Sequence, residues 1–336
     1  MEFAILPLTL VIVASIFQGT FGLGMKFMAP LKWEAWWLVH STVAMLLIPL
    51  IWALMVVPDL FYIIERAPWP AIWKGMLFGF LWGIGGIMFG KSVPYIGMSL
   101  TYGIVMGLCA AVGCLIPFFQ LESVLTLPTF PYVIVGVLLM IVGVTLTAYA
   151  GIQRDNNQKK VLGIKADFKL GLVIAFSSGI LSALLNVGFV NAQEVGKTAE
   201  ANGVNVRNSS LAIWIVVLFG AYLMNIGYAL FLLIKNKSWH SFKAPKSGKS
   251  YFWSVAAGIL WFGALGIYGQ GATLMGDIGP IIGWPILLGV SLIISNAWAY
   301  LNKEWDNSQR PFLFLKAGLF MLILATVVLG YSNSLT

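Results

Sequence analysis

The chain has 336 residues, of which 60% are hydrophobic and only 10% charged, and its formal net charge is +8. Its mean hydropathy is +0.90. This balance excludes an ordinary soluble domain and points to a polytopic membrane protein, in which surplus Lys and Arg report topology and anionic lipid rather than nucleic acid.

Apolar runs long enough to cross about 30 Å of hydrocarbon fall at roughly 4–25, 35–57, 71–91, 95–119, 131–150, 169–192, 210–234, 251–275, 280–302 and 312–332. They predict an all-α integral membrane protein with ten transmembrane helices. The opening stretch, MEFAILPLTL, lacks the basic region of a cleaved signal peptide and reads as the start of a retained helix. Two long polar connections stand out, 151–168 and 235–250. The first divides the chain into a five-helix repeat at 1–150, a polar linker at 151–168 and a second five-helix repeat at 169–336.

The repeat rests on matched residues. Two glycine-dense runs in 81–117 are joined at Lys91–Ser92–Val93–Pro94, which reads as a tight corner. A shift of 179 positions lays Leu81 on Leu260, Trp82 on Trp261, Phe89 on Tyr268, Gly90 on Gly269 and Gly97 on Gly276. A shift of 164 lays 15–24 on 179–188, and one of 182 lays Glu122 on Glu304 and Gly136 on Gly318. With five helices per half, the second copy enters the membrane from the opposite side, so the repeat is inverted, the architecture of many secondary transporters. The loops after the odd-numbered helices carry 16 of the 20 Lys and Arg residues. By the positive-inside rule that side is cytoplasmic and both termini lie outside.

No nucleotide-binding, zinc-protease or serine-hydrolase motif is present. Gly83, Gly85 and Gly86 lie in mid-helix, where small residues allow close helix packing. Cys109 and Cys114 share one apolar run and read as buried thiols. Polar groups inside spans are the informative ones, because lipid cannot satisfy them. They include Gln18, Tyr102, Asn186, Asn191, Asn225, Tyr268, Gln270 and Asn296. Neutral amides offer donors and acceptors to sugar hydroxyls, and Trp82, Trp261, Tyr268 and Trp284 offer ring faces for the C–H side of a pyranose. Trp36, Trp37, Trp69, Trp73 and Trp305 read as interface anchors. His40, about two turns into the second helix, titrates near neutrality, and Asp277 lies in the corner between the eighth and ninth helices. Glu122 and Glu304 read as structural helix-end acids, paired with Lys303 or with backbone.

Ten helices in two inverted halves, each with an acid before its last helix, resemble the drug/metabolite transporter superfamily. Within it, FGLGMKFMAPLKWEAWWLV (21–39), LFGFLWGIGGIMFG followed by YIGMSL (77–100), SGILSA (178–183), NIGY (225–228) and NKEWDN (302–307) resemble the L-rhamnose–proton symporter family. The chain departs from the pattern at Gly24, where a proline is expected, and in GQGATLMGDIGP after Tyr268. The resemblance implies import of a neutral monosaccharide, L-rhamnose or a related 6-deoxyhexose, with a proton across a bacterial inner membrane. The expected substrate-binding residues are Gln18, Trp82, Tyr102, Asn186, Trp261, Tyr268, Gln270 and Trp284, with His40 or Asp277 for proton coupling. No catalytic residue, metal or organic cofactor is expected, and sodium stays open as the coupling ion. The expected partners are sugar, proton and membrane lipid, with the chain a monomer or homodimer. The alternatives are a metabolite exporter or exchanger, a membrane enzyme acting on lipid-linked sugars, and a non-transporting sugar receptor.

Overall fold

The computed structural model describes residues 2–122, 124–159, 168–305 and 309–335. Among these, ten helices are long and apolar enough to cross a membrane: α1 (Ile5–Phe27), α2 (Trp33–Val56), α3 (Trp69–Ile96), α4 (Leu100–Phe119), α5 (Phe130–Arg154), α6 (Phe168–Ala201), α7 (Val206–Lys235), α8 (Gly248–Leu274), α9 (Gly276–Leu301) and α10 (Gln309–Leu335). The protein is therefore a multi-pass membrane protein. An even number of crossings puts both termini at one end of the bundle, called here the terminal end.

Several spans depart from a plain α-helix, among them α9, which opens with a 3-10 turn, and α10, which ends in one. The last turns of α1, Phe21–Phe27, are 3-10 helix. A π-turn, Val43–Leu47, interrupts α2. The long α6 breaks at Ala192 and resumes over Gln193–Ala201. The polar linker is shorter than expected, because the fifth helix runs on to Lys159. Residues 160–167, with Lys160 and Lys165 of the charge bias, and 306–308 of the NKEWDN segment lie outside the described residues.

The expected corner at Lys91–Pro94 is helical. Helix α3 continues to Ile96 and turns at Gly97. Pro94 sits in the last turn, where its missing donor costs one hydrogen bond, and the Gly97 N–H still reaches the Val93 carbonyl at 2.8 Å. Gly97 has φ 86°, and Gly276, 179 positions on, has φ 67° between α8 and α9. Both turns use a left-handed conformation that glycine adopts without a Cβ penalty.

Glycines also set how closely helices approach. A Cβ on Gly79 of α3 would overlap the Val217 carbonyl of α7, and one on Gly220 of α7 would overlap the Met76 carbonyl of α3. Gly258 of α8, 179 positions after Gly79, meets Val43 and the His40 carbonyl of α2 in the same way. The packing pairs follow this exchange. Helix α3 packs on α6 and α7 as α8 packs on α1 and α2; α4 packs on α5 and α6 as α9 packs on α10 and α1. One pair breaks it. Helix α7 packs along α8, whereas α2 and α3 are barely in contact. The matched glycines record the difference: a Cβ on Gly269 would lie 2.5 Å from Trp214 Nε1, while Gly90 and Gly86 face open space.

Substituting these glycines separates the two environments. Gly79→Ala and Gly220→Ala force α3 and α7 apart at a cost of about 1–3 kcal/mol and lower Tm in detergent. Gly86→Ala and Gly90→Ala leave Tm unchanged or raise it, since alanine is the better helix former and nothing opposes its methyl group.

Candidate functional site: an aromatic wall and a polar seal

The polar and aromatic residues of the spans fall into two groups at different depths. The first lies from mid-bundle toward the end opposite the termini. Trp82 of α3 and Trp261 of α8 meet at 5.4 Å with an interplanar angle of 32°. Trp82 is partly exposed, and Gly86 and Gly90 follow it at one-turn intervals facing open space. Gln18 belongs to the face of α1 that buries Val11, Ala14 and Ser15. Helices α1 and α8 run antiparallel, with Gly263 against Phe17 and Gly24 against Ala257, so Gln18 is level with Trp261. Its Oε1 is buried and has no hydrogen-bond partner.

Helix α2 supplies a wall that the span pattern assigned to the lipid interface. Trp36 is fully buried and Trp37 partly so. Trp33 stacks on Trp37 at 5.3 Å, and the Trp37 Nε1–H donates to Asn225 Oδ1 on α7 at 2.9 Å. Both tryptophans pack on the buried ring of His40. Trp69 and Trp73 are exposed, as interface anchors would be, but Trp305 is buried. The spacing 33, 36, 37, 40 marks one helix face, and that signal could have separated this wall from the anchors.

The second group seals the terminal end. Asn186 of α6 is fully buried. Its Nδ2 donates to the carbonyls of Gly113 on α4 at 2.9 Å and Pro280 on α9 at 3.0 Å. Its Oδ1 accepts from the Tyr268 hydroxyl on α8 at 2.7 Å. Trp284 Nε1 donates to the Cys109 carbonyl at 3.0 Å and packs edge-on against Tyr268 at 5.6 Å. Directly after Tyr268, Gly269 lies against Trp214, and Gln270 Nε2 donates to Asn208 Oδ1 at 3.1 Å. Asn186, Tyr268, Gln270 and Trp284 are thus engaged with protein partners, whereas Gln18 Oε1, Trp36 Nε1 and His40 Nδ1, and Trp214 Nε1 beside Gly269, are buried without one among the described residues.

The remaining expected residues lie apart. Tyr102 is partly buried on α4, edge-on to Phe89 at 6.1 Å. Asn191 and Asn296 bond back to the helical carbonyls of Val187 and Leu292. Asp277 is exposed in the 3-10 turn Gly276–Ile278. It lines a cavity of about 650 Å³ at the terminal end with Glu122, Gln120 and Thr129. Glu304 pairs with Lys26 at 2.6 Å and Arg154 at 3.5 Å, not with Lys303. Lys303 adopts a left-handed turn conformation. Its N–H bonds to the Tyr300 carbonyl. Cys109 and Cys114 are buried free thiols. No group of three metal-ligating residues occurs among the described residues.

The contrast between the two amides has a measurable consequence. Asn186→Leu leaves two carbonyls without their side-chain donor and costs about 1–3 kcal/mol, lowering Tm. Gln18→Leu removes an oxygen that already lacks a partner, so Tm stays the same or rises.

The comparisons with known proteins bear on the whole chain. Residues 3–334 match the family model described as L-rhamnose-proton symport protein. The L-rhamnose-proton symporters of Yersinia pestis and Yersinia pseudotuberculosis are each 26% identical over 322 residues, covering 90% of this chain and 92% of theirs. These relatives are named as transporters, not enzymes. A solved crystal structure with 14% identity superposes with a TM-score of 0.61, covering 96% of this chain and 95% of its own, and shows a shared fold. A match that runs through every one of the ten spans places the chain in the L-rhamnose-proton symport protein family.

Proposed function

We propose that this protein is a secondary transporter that imports L-rhamnose, or a closely related 6-deoxyhexose, with a proton across the inner membrane of a bacterium. The carrying observation is the family match over residues 3–334. The structure supports it with a site of suitable chemistry. The Trp82–Trp261 pair presents ring faces to the C–H side of a pyranose. Gln18 Oε1, buried and unpartnered among the described residues, accepts from a sugar hydroxyl. The coupling ion is the proton, carried by His40 or Asp277, and no organic cofactor takes part.

Alternating access follows from the exchange of halves. The excess of Lys and Arg at the end opposite the termini assigns that end to the cytoplasm and both termini to the periplasm. In this state the periplasmic end is sealed by Asn186, Tyr268, Gln270 and Trp284, and α7 lies along α8. The equivalent contact at the cytoplasmic end, α2 against α3 at Gly90, is open. The opposite state closes Gly90 against the Trp37 face of α2 and releases the seal, freeing its amides for sugar hydroxyls.

Purified protein in liposomes with a luminal pH dye tests this reading. L-rhamnose added outside acidifies the lumen, and L-mannose, its 6-hydroxy analogue, acts more weakly, since a buried methyl group is worth about 1–3 kcal/mol. Gln18→Leu raises the half-saturating L-rhamnose concentration about three- to tenfold, as loss of one hydrogen bond requires. Sugar-independent pH traces from the wild-type protein would refute symport.

A further inference from the structure

His40 is a buried span residue packed among aromatic rings, as Tyr268 is, but unlike the bonded Tyr268 hydroxyl its Nδ1 has no partner among the described residues. It is 1% exposed. Trp36 stacks on it at 5.1 Å and 11°, Trp37 packs at 5.0 Å and 35°, and Phe21 of α1 lies at 6.3 Å and 22°. Its Nδ1 is buried with no partner, as is the Nε1 of the stacked Trp36. The ring also lies toward the backbone of Ser254 on α8. No ion pair to His40 is found among the described residues. The charged groups around it have other engagements. Glu34, on the first turn of α2, accepts from Ser238 and Asn236. Lys26, at the end of α1, pairs with Glu304. On α7, Lys235 sits over Phe231 and Tyr228 lies under Lys91. Lys249, at the start of α8, sits over Phe27.

We propose that His40 holds the coupling proton, and that the ring faces of Phe21, Trp36 and Trp37, rather than a carboxylate, hold its charge. This rests on the symport reading above and names the proton site within it. The negative face of an aromatic ring attracts a cation most strongly where water is excluded, and indole is the best of the rings. Loading is a simple proton transfer. The Nδ1 lone pair takes a proton from water, the ring gains one positive charge, and the same nitrogen returns the proton to water on the other side. The sealed ring with a bare Nδ1 is the unloaded form. The cage is also joined to the moving helices. Trp37 is bonded to Asn225 on α7, and the Trp36 carbonyl accepts from Ser254 on α8 at 2.9 Å. Charge on His40 therefore bears on how α2 sits against both.

His40→Phe keeps a ring in the stack and removes the titration; His40→Gln serves where the first variant does not fold. In liposomes, counterflow of labelled L-rhamnose reads binding and exchange, and the luminal dye reads coupling. The expected result is counterflow retained and acidification lost. Acidification at the wild-type extent in either folded variant overturns the proposal and leaves symport standing. Wild-type protein with neither counterflow nor acidification overturns the symport reading instead. In that case, or where the variant loses counterflow too, indole fluorescence decides, because an adjacent imidazolium quenches it. Acid quenching present in the wild type and absent from the variant upholds the cage; equal quenching in both overturns it.

Discussion

Hydrocarbon gives a buried amide no water to fall back on, so each one must find partners within the protein or keep a place for a ligand. Asn186 meets this constraint completely. One side chain on α6 joins α4, α8 and α9 through Gly113, Tyr268 and Pro280. Four helices converge on it, and the end of the bundle they close contains Trp214 against Gly269 and Gln270 against Asn208. Gln18, Trp36 and His40 fail the same test, with buried polar atoms that no group among the described residues satisfies, as do Thr129, Trp305 and, within the closed end itself, the Nε1 of Trp214. In a transporter the two outcomes belong together. A satisfied amide closes one end of the path, and an unsatisfied one marks where a hydroxyl, a water or a proton is taken up.

Glycine makes the rest possible. Gly79 and Gly220 bring α3 and α7 together backbone to backbone, and Gly258 lets α8 close on the Val43 side chain of α2. Such contacts are stiff, which leaves motion to pairs that can part. The α7–α8 and α2–α3 pairs occupy equivalent places, yet one is packed and the other is not. Equivalent pairs packed at one end and parted at the other are what a rocking carrier would show when held in one of its states.

Much of this was legible in the sequence. Ten spans follow from hydropathy, because a helix that crosses lipid has few ways to disguise its composition. Glycines and aromatics 179 positions apart suggested a repeat, and the structure gives two of them, Gly97 and Gly276, a positive φ between successive helices. Other features were hidden for physical reasons. Pro94 imitates a turn signal, yet a proline in a last helical turn is tolerated. Tryptophans near the start of α2 imitate an interface belt, and only the packing of α7 and α8 turns Trp36 and Trp37 inward. An intramembrane asparagine reads equally as sugar ligand or helix fastener. The partners that decide between these for Asn186 lie 73 to 94 positions away in sequence, and no local pattern encodes them.

A carrier of this kind requires the packed and open pairs to exchange. Nitroxide labels at Lys32, just before α2, and at Tyr95 of α3 report the width of the open end by electron–electron dipolar spectroscopy. Gly269→Ala places a methyl group against Trp214 and pries α8 from α7. If the two ends are coupled, this substitution at the far end shifts the Lys32–Tyr95 distance to a shorter population. A distribution identical to that of the unsubstituted labelled protein, with the fold intact, would contradict the exchange and with it the assignment of Asn186 and Tyr268 to a seal.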